Sequence, residues 1–312
     1  MDQLDAMRIY LRVTELASFS LAAETLGLPK ASVSTAVQRL EERLGTRLLH
    51  RTTRRVQPTP DGQAFYERCR DLLADMDELQ QMFRAGPQAL SGRLRVDMSS
   101  GVARHAVLPR LPEFLQAHPR LSIEFSSTDR KVDLVREGFD CVLRVGVLAD
   151  SSLIARPLGY FRLLNCASRD YLLRYGEPTR LDELAQHQLI HYQPILGGRS
   201  TGFAYLDAAG VERSLAMAGA ISVNNADAYL GACLAGLGLI QVPRLGVAEH
   251  LDSGRLVELL PAYQAAPLPV TLLYAHRRQL PRRVQVFMEW METVLQPYLL
   301  PWDGGASLVG QK

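Results

Sequence analysis

One spacing pattern divides the chain before anything else is known about it. Between residues 61 and 84 the apolar side chains Phe65, Cys69, Leu72, Met76, Leu79 and Phe83 recur at intervals of four, three, four, three and four. That repeat predicts one long helix carrying the a/d seam of a coiled coil, a dimerisation surface. Asp71, Asp75, Asp77, Glu78 and Arg84 fall around it as a solvated face. An amphipathic helix packed on its own domain has the same pattern at this length. Gly86-Pro87 breaks the helix, and Ser91-Gly92 follows. The helix therefore separates a small N-terminal part from a much longer C-terminal one. The 312 residues suffice for at least two cores, at roughly 100–200 residues per domain.

The N-terminal part reads as helical. Leu4, Met7, Ile9, Leu11, Val13 and Leu16 lie close to the helical period. Ser18 or Ser20 can cap a second helix through Leu26, and Gly27 ends it. A third helix is predicted from about Pro29 to Leu44, with Val33, Val37, Leu40 and Leu44 inward. Helix, glycine turn, helix is a helix-turn-helix outline. Charge sharpens it. The whole chain carries only +2, yet residues 28–59 hold seven basic side chains against two acidic, a net +5. The stretch from Thr52 to Thr59 reads as a hairpin with Arg54 and Arg55 at its tip. A basic hairpin beside a helix suits phosphate or minor-groove contact, and a solvated basic face is the bland alternative.

Three clusters carry a resemblance. They are Phe19-Ser20-x-Ala22-Ala23-x-x-Leu26, then Ser32-x-Ser34-x-x-Val37-x-x-Leu40-Glu41, then Leu44-Gly45-x-x-Leu48-x-x-Arg51 with Pro58-Thr59-x-x-Gly62. With spacing intact over about sixty residues, they closely resemble the winged helix-turn-helix of LysR-type transcriptional regulators. Thr35 stands where that family often has a basic residue, and Leu49 where a phenylalanine is common. The resemblance implies that the helix over 30–44 is the recognition helix, entering the major groove of operator DNA. It points to Ser20, Lys30, Ser32, Ser34, Thr35 and Arg39 as DNA-binding residues, with Arg51, Arg54 and Arg55 on the wing or backbone. Ser32 and Ser34 can equally be solvent-facing hydroxyls, and Arg51 can pair with Glu41 or Glu42. The resemblance also implies a linker helix that makes a homodimer or homotetramer, so that two recognition helices read a palindromic site.

The remaining residues alternate strand and helix. Strands are predicted at Leu94–Met98, Leu121–Phe125 and Cys141–Val145, with helices at 102–116 and 132–137 between them. This βαβαβ rhythm predicts a parallel, doubly wound sheet. A second half follows from about Leu163 to Ala262, with a helix at 226–235 and a buried strand at Leu237–Pro243. Val270–Tyr274 and a helix at 281–295 would return to the first half. The resemblance extends here to a two-lobed effector domain like a periplasmic solute-binding protein. The fold class is α/β with an α-rich N-terminal winged helix-turn-helix. The domains are 1–60 for DNA binding, 61–90 for the linker helix and hinge, and 91–300 for the effector. A tail at 301–312 is expected to be disordered.

In such a fold a small-molecule effector lies between the lobes, near strand C-terminal ends. Ser99-Ser100-Gly101 offers free N–H groups and hydroxyls for an anion. Arg144, before Gly146, could pair a carboxylate. Asn225, Arg199 and Phe203 are further candidates. Helix capping and loop structure are the bland alternatives. This chemistry suggests an aromatic or carboxylate metabolite.

Catalytic patterns are weak. Gly198-x-Ser200-x-Gly202 matches a nucleophile elbow, but Phe203–Leu206 after it reads as a strand, where an elbow needs a helix. The same glycines lack a P-loop lysine. His187 and His191 are four apart, yet Leu189-Ile190 predicts a strand that would separate the rings. The four cysteines form no C-x-x-C pair and read as reduced, buried thiols, so no metal or cofactor is expected. Acidic Asp2 and Asp5, and the lack of a long apolar run, argue against a secretory signal or a membrane span. The leading expectation is a cytoplasmic, effector-controlled regulator of transcription, not an enzyme, with RNA polymerase as a further partner. The alternatives are a solute-binding protein with an added helical domain, and an α/β hydrolase using Ser200.

Overall fold

The computed structural model describes residues 2–51, 56–81, 90–130, 132, 134–148, 153–198, 201–275 and 280–301. The chain forms two compact units. The first runs to Arg93 and adds Arg120–Ser122, and the second holds Leu94–Pro119 and Ile123 onward. Among the described residues, no helix is long and apolar enough to cross a membrane.

The first unit is built from capped helices. In α1 (Gln3–Leu16) the Asp2 and Asp5 side chains each accept the other's backbone N–H, at 2.7 and 3.0 Å. Ser18 caps α2 (Phe19–Leu26), and Gly27 closes it at φ +63°. After Pro29, α3 (Lys30–Leu44) ends at Gly45, φ +68°. Strands β1 (Leu49–Arg51) and β2 (Val56–Pro58) pair antiparallel, with Leu49 opposite Pro58. The hairpin tip that carries Arg54 and Arg55 lies outside the described residues. Helix α4 (Pro60–Gln81) follows. Ile9, Tyr10 and Val13 of α1 meet Ala22 and Ala23 of α2 and Val33, Val37 and Leu40 of α3 in one core. Leu44 was expected to face inward, but it is 40% exposed as the last residue of α3.

The seam of α4 divides in two. Phe65 packs edge-on against Tyr10, ring centroids 5.5 Å apart, and Cys69 is buried. These two side chains, read from sequence as dimer contacts, serve the unit's own interior. Leu73 is buried beside them while Leu72 is 50% exposed, so burial runs 65, 69, 73. Met76 is half-buried. The side chain of Leu79 and all of Phe83 lie outside the described residues.

The second unit has two lobes. In the first, β3 (Ser91–Met98) leads into a continuous helix. It is α-helical at α5 (Ser100–Val102), a π-turn at Ala103–Val107, and α-helical again at α6 (Leu108–Ala117). Pro109 and Pro112 cannot donate backbone N–H groups, which fits a loosened ladder at this point. Then come β4 (Arg120–Ser127), α7 (Leu134–Glu137), β5 (Cys141–Val145) and β6 (Ile154–Phe161).

The second lobe starts with β7 (Leu163–Ser168), all six residues of which are buried, and α8 (Arg169–Tyr175). Short strands follow at β8 (His191–Tyr192), β9 (Phe203–Leu206), β10 (Glu212–Leu215) and β11 (Ser222–Val223). Helix α9 (Ala226–Leu234), β12 (Ile240–Pro243), α10 (Ala248–Asp252) and β13 (Leu256–Leu259) complete it. The chain then returns through β14 (Leu268–Tyr274) and α11 (Arg282–Leu295).

The first lobe's sheet has the order β4-β3-β5-β14-β6. Strands β3 and β5 are parallel, as the βαβ rhythm predicts, with Val96 opposite Cys141. The sheet as a whole is mixed, because β14 returns antiparallel between β5 and β6. Helix α11 buries Phe287, and Phe287, Phe114 of α6 and Trp290 form an aromatic trio at 4.9–5.5 Å. In the second lobe, β12 and β13 flank β7, both antiparallel. Buried Asn165 on β7 donates to the Tyr263 carbonyl (2.9 Å) and accepts from Gln241 (2.8 Å), so its amide is satisfied.

Candidate nucleic-acid interface and ligand cavity

Helix α3 presents Ser32, Thr35 and Arg39 along one stripe, because residues three and four apart share a helix face. They line a groove of about 360 Å³ together with Asp2 and Gln3 at the start of α1. Lys30, Thr35 and Arg39 are exposed, and Ser32 and Ser34 are half-buried. Ser20 is exposed on the first turn of α2. Arg43 extends the groove and donates to Gln3 Oε1 at 3.1 Å. The side chain of Arg51 lies outside the described residues.

The motif residues that do not face outward have structural work. Glu41 Oε1 accepts the Leu48 and Leu49 N–H groups at 2.9 and 3.1 Å, which ties β1 to α3. The Thr59 hydroxyl accepts the Gly62 N–H at 2.9 Å and donates to the Arg47 carbonyl at 2.7 Å. It thereby caps α4 and pins the turn before the wing.

The second unit holds a cavity of about 230 Å³ between its lobes. Its walls are mostly apolar, with Val102, Phe161, Tyr229, Val242 and Leu268 among them, and Tyr192 at one side. Tyr192 and Tyr229 meet edge to face at 5.3 Å. His105, on the π-turn, also lines the space. Burial, then the neighbouring Arg104, holds its imidazole below the usual histidine range. Burial and the Asp129 charge push the Tyr192 hydroxyl upward.

Two polar knots stand at the strand ends. Arg144 Nη2 lies 2.6 Å from Asp97 Oδ1, and Asp97 is fully buried. Asp97 Oδ2 also accepts from Ser126 (2.6 Å) and Thr128 (3.1 Å). In the second knot, Asp129 Oδ1 accepts the Ser100 N–H (3.1 Å). Its Oδ2 accepts the Ser100 hydroxyl (3.0 Å) and the Ala226 N–H (2.7 Å).

The sequence candidates divide accordingly. Ser99, Gly101 and Arg144 line the cavity, and Ser100 is bound to Asp129 beside it. Asn225 does not line it. Its side-chain oxygen accepts the Ala228 N–H at 2.8 Å, the helix-capping alternative. Gly146 does not line it either, and serves a turn at φ +101°. Phe203 is a clear correction, for it is fully buried in the second lobe among Tyr171, Leu184 and Leu239. As the first residue of β9 it points into that lobe's core. Arg199 and Ser200 lie outside the described residues. The segment after them is β9, paired antiparallel with β10, and not the helix an elbow needs. Sequence reasoning missed Asp129, His105, Tyr192 and Tyr229. The signal for Asp129 was present in Ser126-Ser127-Thr128-Asp129, an acceptor-rich run directly after a strand.

The two histidines have separate lives. His187 is buried, with Nδ1 3.1 Å from the Tyr171 hydroxyl. That hydroxyl accepts the Gln188 N–H at 2.8 Å, and burial holds the His187 imidazole below the usual histidine range. His191 sits on β8. All four cysteines are buried, and burial raises each thiol, that of Cys69 to about 11 and that of Cys233 to about 12.

Comparison with known proteins covers both units. A model described as "Bacterial regulatory helix-turn-helix protein, lysR family" matches residues 4–63, and one described as "LysR substrate binding domain" matches residues 87–296. The HTH-type transcriptional regulator YhjC of Escherichia coli K12 is 47% identical, over 96% of this chain and 100% of its own. An HTH-type transcriptional repressor of Pseudomonas aeruginosa is 37% identical, over 98% and 99%. Among solved structures, CrgA of Neisseria meningitidis, a LysR-type transcriptional regulator, has a TM-score of 0.59. It is 29% identical and is matched over 93% of this chain and 97% of its own. Full-length AphB, a virulence activator of Vibrio cholerae, has a TM-score of 0.57 at 28% identity, over 96% and 100%.

Proposed function

Because the chain belongs to the LysR family of bacterial transcriptional regulators, we propose that Ser32, Thr35 and Arg39 of α3 read operator bases and that the cavity of the second unit holds the effector. LysR-type regulators combine a helix-turn-helix with an effector-binding domain, as this chain does. The observation that carries the effector half is the apolar cavity, walled from both lobes and ringed by a few convergent polar groups. A ligand that favours one closure of the lobes shifts the regulator by that preference and no further. The exposed α3 stripe supports the DNA half. The reading places the protein in the cytoplasm as a homodimer or homotetramer on a palindromic operator, with RNA polymerase a partner where it activates.

Fluorescence anisotropy on the chain's own upstream promoter DNA tests this. Lys30→Ala should weaken binding on every sequence and lower the salt slope by about one. Thr35→Ala should cost about 1–3 kcal/mol on the operator and relax base preference at one position. Absence of promoter binding by the wild type at low salt would overturn the reading.

A further inference from the structure

The anion sites of this cavity are already filled, from within the chain. The helix that starts at Ser100 belongs to one lobe and α9, which starts at Ala226, to the other. Their first turns meet closely: a Cβ built on Gly101 would lie 3.6 Å from the Ala226 Cβ. Helix N-termini concentrate unpaired N–H groups and positive potential, which is where a ligand carboxylate would settle. Here one carboxylate, that of Asp129, takes the Ser100 N–H, the Ser100 hydroxyl and the Ala226 N–H together. The other group able to hold an anion is the Arg144 guanidinium, and buried Asp97 neutralises it at 2.6 Å. What is left to face a ligand is apolar and aromatic wall, the carboxylates of Asp129 and Asp227, the Ser99 and Tyr192 hydroxyls, and His105, whose imidazole burial holds below the usual histidine range.

Building on the effector reading above, we propose that Asp129 is an internal stand-in for a ligand carboxylate: it clasps the two lobes and restricts the cavity to small, apolar molecules that are uncharged or cationic. An anionic ligand would lie close to the Asp129 charge in a poorly solvated space, and like charges there repel strongly. It would also find the Ser100 and Ala226 N–H groups and the Arg144 guanidinium already engaged by protein carboxylates. An uncharged or cationic ligand meets neither obstacle, and a cation gains the Tyr192 and Tyr229 faces. The carboxylate metabolite suggested by Ser99, Ser100 and Arg144 in sequence is thus replaced, since Ser100 and Arg144 are held by Asp129 and Asp97.

Isosteric probes separate the charge classes: benzoate, benzamide and benzylamine, titrated by calorimetry into the full chain, Asp129→Ala and Asp129→Asn. Asp129→Ala should bind benzoate at least about tenfold more tightly than the wild type does, because the N–H groups are vacated. Asp129→Asn keeps the side chain's shape and should show a smaller gain, so a poorly folded alanine variant leaves the test intact. Val242→Trp, which fills the cavity, should abolish every gain. Benzoate binding wild type and Asp129→Ala equally, with Val242→Trp blocking both, would overturn the role of Asp129 and leave the cavity as the effector site. Binding that ignores Val242→Trp, or no probe binding any form, would overturn the cavity reading and this proposal with it.

Discussion

A Cβ on Gly62 would stand 1.9 Å from the Leu48 carbonyl oxygen and 3.1 Å from the Tyr10 hydroxyl. Both are fixed, the first by the Thr59 N–H it accepts at 2.9 Å and the second by a 2.8 Å hydrogen bond to the Gly62 carbonyl itself. Gly62→Ala must therefore push α4 off the wing, and it should cost about 1–3 kcal/mol, read as a lowered urea midpoint with unchanged m-value. Thr59 and Gly62 were legible as a motif in sequence. Their reason was not, because the Leu48 carbonyl is brought to Gly62 only by the hairpin between them. Glu41 is a similar case: it looks like a surface acid in the basic stretch, yet it accepts the N–H groups of Leu48 and Leu49. Asp129 is the opposite case: the polar run that ends on it was legible after a strand, but its role was not, since its partners lie 29 and 97 residues away.

At the scale of elements, α4 shows what a heptad pattern can and cannot say. Its spacing fixes a long helix, but an apolar position does not announce which surface covers it. Phe65 and Cys69 are covered by the first unit itself, and Leu73 lies one residue past the predicted seam position. Leu72 keeps half its surface open. Leu73→Ala should destabilise the first unit by about 2–5 kcal/mol, the cost of a buried leucine cavity. Leu72→Ala should change that stability by less than about 0.5 kcal/mol and instead weaken self-association in sedimentation equilibrium. Equal destabilisation by both would mean that Leu72 has no partner helix. Helices α1, α2 and α3 were legible to within a residue or two because caps and glycines mark their ends. The π-turn over Ala103–Val107 and the antiparallel place of β14 were not. Both depend on contacts between segments far apart in the chain.

At the scale of the whole molecule, the +2 net charge conceals segregation: +5 over residues 28–59 is followed by three basic against six acidic residues over 60–90. Burial of imidazoles gives the second unit a different, pH-dependent signature. His105 and His187 both have folded-state affinities for protons below the ordinary value of 6.5, each chiefly through burial. The unfolded chain then binds more protons than the folded one as pH falls below 6.5. Their stabilising contribution is complete above that pH and is lost as pH drops toward the folded values. The carboxylates of Glu113, Glu183 and Asp207 are shifted downward by hydrogen bonds, so what they add fades only below their ordinary values of 4.5 and 3.8. The two groups of residues thus separate in pH. Thermal melts should hold level from pH 8 to about 6.5 and fall between about 6.5 and 5, before the carboxylates protonate. His187→Gln retains an acceptor for the Tyr171 hydroxyl but cannot titrate, and it should shrink the fall. A melting temperature that stays level down to pH 5 would show that both rings accept protons in place, and that burial does not lower their proton affinity.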